Sequence, residues 1–91
     1  MGLQEAAGTY WPDQSQSQTL ECRSGNGYLI EYSGVMGGQG YVYFESYADN
    51  YVEITVTYDD GDVYNMGLDY GERSDAIYNH PGYAWTSSWG C

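Results

Sequence analysis

The segment Asp59-Asp60-Gly61-Asp62 sets three carboxylates within four residues, a dense group of hard oxygen ligands. Such oxygens suit Ca2+. An EF-hand loop, however, alternates its ligands and closes with a distal Glu, and this segment does neither. It reads as an acidic hairpin turn, because Asp-Gly supplies the positive φ that tight turns need. Other chemistry-bearing residues are few. His80 is the single histidine and stands before Pro81. Cys22 and Cys91 are the only cysteines, and their separation fits no zinc motif. The glycines at 34, 37, 38 and 40 have no strand-to-helix context and no Lys, so they form no phosphate-binding loop. One His, two Cys and scattered Ser do not assemble a nucleophile, a base and an orienting acid. The expectation is a non-enzyme with no cofactor and no metal.

Acid and tyrosine are what the chain has in quantity. Between Ser24 and Glu72 lie nine acidic residues and a run of tyrosines, with neither Lys nor Arg. The whole chain has 91 residues and a formal net charge of −11. That balance excludes direct binding to a nucleic-acid backbone, whose counterions only cations can replace. An anionic membrane surface repels it as well, and no stretch is long and apolar enough to span a bilayer. A basic protein is the natural counterpart, and their encounter would be fast and salt-sensitive. The start, Met1-Gly2-Leu3-Gln4-Glu5, lacks the basic region and apolar core of a secretory signal, so a cytoplasmic location is expected. Cys22 and Cys91 are then read as two reduced thiols. The alternative is one disulfide, formed in an oxidising compartment.

Ninety-one residues make one domain at most. Residues 1–21 read as a polar, partly mobile leader, with an apolar knot at Tyr10-Trp11-Pro12 and a low-complexity run over 13–19. Within it, 3–7 carries a weak helix pattern. Residues 22–91 read as a small β-rich domain. Strand patterns cover 28–32, 41–47, 51–58 and 63–66, and short loops between them imply an antiparallel meander. Residues 74–80 suit a short helix capped by Ser74 and stopped before Pro81, and 82–91 a last strand or a packed apolar segment. The fold class expected is therefore mainly β, or small α+β. Its form would be an antiparallel meander sheet of four to five strands with at most one or two short helices.

A hairpin with its loop at 48–50 makes the alternation of 41–47 and 51–58 agree. One face is then Val42, Phe44, Val52, Ile54 and Val56, a core face. The other is Tyr41, Tyr43, Glu45, Tyr47, Tyr51 and Glu53, with Thr55 and Thr57. In this register Glu45 faces Glu53, and opposed like charges cost a fraction of about 1 kcal/mol. Good strand formation and solubility are one use of such residues. The other is partner binding, since Tyr stacks on guanidinium planes and carboxylates take bidentate Arg contacts. Asp49, Asp59, Asp60, Asp62 and Asp69 add charge around this face. If they project along one edge, they form a row resembling the phosphates of a duplex.

In composition the chain is similar to small acidic virus-encoded inhibitors, the anti-restriction and anti-CRISPR proteins, many of which copy DNA's charge. The likeness is one of class and covers no aligned residues. It implies an inhibitor whose acidic face fills a Lys/Arg-lined channel of a nucleic-acid-binding protein or effector complex in the host cytoplasm. Such a protein would act as a monomer or a homodimer, the latter through an exposed edge of the second strand. Two further uses suit the same residues. One is an exported β domain binding carbohydrate or calcium, with Trp11, Trp85 and Trp89 as sugar platforms and a Cys22–Cys91 disulfide. The other is an immunity protein neutralising a basic nuclease toxin.

Overall fold

The structure is a computed structural model and describes residues 4–10, 15–23, 26–79 and 83–91. Among these, every regular element is a strand: β1 (Gln4–Thr9), β2 (Gln16–Glu21), β3 (Tyr28–Met36), β4 (Gln39–Ser46), β5 (Val52–Tyr58), β6 (Val63–Leu68), β7 (Ile77–Asn79) and β8 (Ala84–Gly90). The class is mainly β, as the period-two alternation predicts. The strands do not form one meander, however. They form two antiparallel four-stranded sheets, sheet A in the order β1-β8-β5-β6 and sheet B in the order β2-β3-β4-β7.

The predicted core face is buried throughout, with Val42, Phe44, Val52, Ile54 and Val56 all at 1% exposure or less. The predicted hairpin that carried it does not form. β4 lies between β3 and β7, whereas β5 lies between β6 and β8. The 47–51 segment carries the chain from sheet B to sheet A. Its start is tied to the β2–β3 connection, where the Tyr47 N–H donates to the Tyr28 carbonyl at 2.8 Å and the Asp49 N–H to the Asn26 carbonyl at 3.0 Å. The physical reason is burial. A lone hairpin would leave its apolar face to water, whereas strands in opposed sheets turn the same residues toward each other across one core.

The next hairpin follows its sequence signal. The Tyr58 N–H donates to the Asp62 carbonyl at 2.9 Å, and the Asp62 N–H donates to Asp60 Oδ1 at 3.1 Å. Gly61 supplies the left-handed conformation, with φ at 98°.

The expected helices are strands. Residues 4–7 of the first belong to β1, which pairs with β8. Residues 16–19 of the polar run belong to β2, where Gln18 and Leu20 turn inward and Ser17, Thr19 and Glu21 outward. In the second, Ser74 caps nothing. Its hydroxyl accepts the Phe44 N–H at 2.9 Å and its own N–H donates to the Phe44 carbonyl, steering 77–79 alongside β4 as β7. His80 and Pro81 lie outside the described residues. Because β4 is flanked on both sides, its edge is not free for dimerisation, and the outermost strands are β1 and β6 in one sheet and β2 and β7 in the other.

Large aromatics fill the space between the sheets. Trp85 and Trp89 are buried in the core, so they offer no sugar platform, and Trp11 lies outside the described residues. Tyr10 packs on Trp85 with ring centroids 4.5 Å apart, and its hydroxyl hydrogen-bonds that of Tyr58 at 2.9 Å. Burial pushes both phenols above the ordinary tyrosine value. Gly40 lies under Tyr10, where a Cβ would meet the ring at 2.5 Å. Finally, the two cysteines are not separate thiols. Cys22, just after β2, and Cys91, just after β8, form a disulfide with Cα atoms 5.1 Å apart, which staples sheet B to sheet A. Nothing in their separation along the chain announces that proximity.

Candidate functional site

Residues paired across neighbouring strands share a face, so the register assembles the outer surface of sheet B row by row. One row is Gly34, Tyr41 and Tyr78, and the next is Ser17, Tyr32 and Tyr43. A third is Thr19, Ile30 and Glu45, extended by a bridge from Glu45 to Arg73. The last pairs Glu21 with Tyr28, and the Tyr28 ring reaches Tyr47.

The tyrosines of this surface stack on each other. Tyr32 and Tyr43 lie with centroids 4.8 Å apart and planes 17° from parallel, and Tyr28 and Tyr47 with centroids 5.2 Å apart and planes 29° from parallel. Tyr41 continues the first stack at 6.1 Å from Tyr43, and Tyr70 meets Tyr47 edge-on at 6.3 Å. Such spacings are those of favourable stacked and edge-to-face aromatic pairs. Arg73 completes the arrangement. Its guanidinium lies 5.5 Å from the Tyr43 ring centroid and pairs with Glu45 at 3.2 Å. The surface is a pre-ordered aromatic ladder with hydrogen-bonding tips and carboxylates at Glu21 and Glu45.

Glu45 and Tyr32 tune each other. Hydrogen bonding from Tyr32, and then from Arg73, holds the Glu45 carboxyl below its ordinary value of 4.5. Hydrogen bonding to Glu45 raises the Tyr32 phenol from 10.0 to about 12. The signs are opposite in pH. The Glu45 contribution to stability is present above the ordinary carboxylate value and lost as pH falls through the lowered one. The Tyr32 contribution is complete below pH 10 and lost as pH rises toward 12. In a tyrosinate absorbance titration, wild type minus Tyr32→Phe should therefore give a difference curve with its midpoint near 12. Glu45→Gln should bring that midpoint back toward 10. A wild-type difference curve centred at 10 would show that the pair does not form.

The face expected from the sequence is divided. Tyr41, Tyr43, Glu45 and Tyr47 lie on the outside of sheet B, whereas Tyr51, Glu53, Thr55 and Thr57 belong to the outside of sheet A. Glu45 does not oppose Glu53. It sits opposite Ile30 and is compensated by Arg73, while Glu53 sits opposite Gly67 and Gly90. The compensating cation is invisible to local reading because it lies 28 residues away along the chain.

The acids divide as well. Asp59, Asp60 and Asp62 cap one end of β5, and Asp49 precedes the other. A strand of this length separates the two groups by about 20 Å. Asp69 and Glu72 belong with Asp49, since the Ser46 N–H donates to the Glu72 carbonyl and the Gly71 N–H to the Ser46 carbonyl. The structure thus has an acidic group at each end of the sandwich rather than one row along an edge. Among the described residues no three His, Cys, Asp or Glu side chains converge to hold a metal ion.

One functional candidate escaped sequence reading. Glu31 is 1% exposed and lies between the sheets. Its Oε1 accepts from Gln18 Nε2 at 2.6 Å and from Trp85 Nε1 at 3.3 Å, and its Oε2 accepts from the Ser87 hydroxyl. The signal was present in the turn. With Gly37 and Gly38 at the tip, Met36 pairs with Gln39 and, five steps on, Glu31 pairs with Phe44, a core residue. No family model, curated protein or solved structure matches this chain.

Proposed function

We propose that this chain is a non-enzymatic interaction protein that holds a basic protein against the outer face of sheet B. The observation that carries this reading is the stacked tyrosine ladder built around Tyr32 and Tyr43 and set beside Glu45. Tyrosine offers a large amphipathic contact at little entropic cost, and stacking has already removed part of that cost. A net charge of −11 draws cationic surfaces and repels anionic ones. The Cys22–Cys91 bond supports work in an oxidising compartment rather than the cytoplasm. The carbohydrate reading has less support, since Trp85 and Trp89 are in the core.

The division of the two glutamates between opposite surfaces provides the test. A nona-arginine peptide serves as the probe at low salt. Glu45→Gln should weaken its binding about tenfold, because it removes a contact and leaves Arg73 uncompensated on the face. Glu53→Gln, on the far sheet, should change it less than about twofold. Equal losses for both variants would reduce the interaction to net charge and overturn the face assignment. If the natural partner is a nucleic-acid-handling protein, duplex DNA should compete with this chain for it. A basic protein without DNA affinity would show no such competition.

A further inference from the structure

A second feature lies between the two sheets, bordered at Ser17 by the tyrosine face, and does not depend on the tyrosines. Between β1 at the edge of sheet A and β2 at the edge of sheet B there is a cavity of about 110 Å³. Ala7, Gln16 and Ser17 at its rim are exposed, whereas Glu31, Ser33 and Trp85 at its floor are buried. A buried carboxylate is costly unless a cation or a full set of hydrogen bonds compensates it. Glu31 has neutral donors, and the described residues give it no ion pair. A carboxylate offers about four acceptor positions. Two donors on Oε1 and one on Oε2 leave the remaining position on Oε2.

From this we infer that the cavity is a recognition site for a primary alkylammonium group, bound against the Glu31 carboxylate with its stem leaving between Ala7 and Ser17. The volume equals that of a few water molecules, enough for an ammonium head and one or two methylenes. Three N–H donors match the free Oε2 position, the Ser33 hydroxyl and the Gln18 amide oxygen, whose nitrogen is already committed to Glu31. A guanidinium fits less well. Its parallel fork needs both carboxylate oxygens, and Oε1 already holds two donors. A divalent cation fits less well again, because the cavity offers one carboxylate. The ammonium can belong to a free small amine or to a lysine side chain of another protein.

The test is a titration of the 15N-labelled protein, followed at the Trp85 indole N–H that donates to Glu31. The probes are n-butylammonium chloride and Nα-acetyl-lysine methylamide, with tetramethylammonium chloride as an ionic control lacking N–H donors. Both amines should give a saturable shift at Trp85 and none at Trp89, whose indole bonds the Glu21 carbonyl instead. The control should bind at least about tenfold more weakly, for want of donors. Tighter binding of the lysine derivative assigns the site to a protein side chain, and tighter binding of butylammonium to a free amine. Glu31→Gln should abolish the shift. Because that change is in the core, Gln16→Trp provides a second variant, narrowing the mouth from an exposed position that shares a face with Ser33 and weakening both amines at least about tenfold. The inference is overturned if no saturable shift appears, if tetramethylammonium binds equally well, or if Gln16→Trp leaves the binding unchanged.

Discussion

Reducing the Cys22–Cys91 bond, or replacing both cysteines with serine, should lower the stability of the protein by about 4 kcal/mol. The two residues are separated by 69 positions, so the bond closes β3 to β8 into one loop. Loop closure restricts the unfolded ensemble by an amount that grows with the logarithm of that length. The native state gains as well, because the bond joins the end of a sheet B strand to the end of a sheet A strand. Beside it the Trp89 indole donates to the Glu21 carbonyl at 3.2 Å, a second link between the sheets. For a domain of this size the expected loss corresponds to a fall in Tm of about 15–30 °C. A chain with a charge of −11 should show a larger fall at low salt, where self-repulsion is least screened. Thermal unfolding followed by circular dichroism, with and without reductant, measures it. A Tm unmoved by reductant, together with two titratable thiols in native protein, would remove the staple and with it the oxidising compartment.

Glu31→Leu should cost about 3 kcal/mol, although leucine is close in volume and better suited to a core. The cost comes from what the carboxylate leaves behind. Trp85 Nε1 and the Ser87 hydroxyl are buried donors that Glu31 now satisfies, and each orphaned donor costs about 1–3 kcal/mol. Gln18 sits nearer the surface and should find water instead. The signature is non-additivity. Adding Ser87→Ala to Glu31→Leu should restore about 1 kcal/mol, whereas Ser87→Ala alone should destabilise. Urea unfolding of the four proteins in this cycle decides the matter. A Glu31→Leu protein as stable as wild type would mean that the carboxylate bridges nothing of consequence and that its burial serves no structural end.

Several features were legible residue by residue. The inward set on β4 and β5 followed from alternation, because period two is a property of one strand and needs no knowledge of its neighbours. The β5–β6 hairpin followed from Asp60-Gly61, because a positive φ is a local demand. The pairing of β4 with β5 did not follow. Agreement of two alternations is required for a hairpin, yet it is equally satisfied by two strands that face each other from opposite sheets. The choice between these depends on what else covers the apolar face, and here that is a core drawn from both ends of the chain, Tyr10 and Trp85 among them.

β3 makes the limit plainest. Tyr28, Ile30 and Tyr32 alternate with Leu29, Glu31 and Ser33, and the strand taken alone does not say which set turns inward. Register against β4 decides it, since Glu31 and Ser33 must share a face with Phe44 and Val42. That one choice creates both the outer tyrosine ladder and the buried carboxylate. The sequence by itself determined the β class, the inward residues of the central strands, the acidic turn and the charge. The tertiary structure alone decided which tyrosines share a surface, that Arg73 compensates Glu45, that Cys22 meets Cys91 and that Glu31 bridges Gln18, Trp85 and Ser87. The first group depends on conformational preferences and charges within a few residues. The second depends on contacts closed across loops of tens of residues, whose free energy is settled only when the whole core assembles.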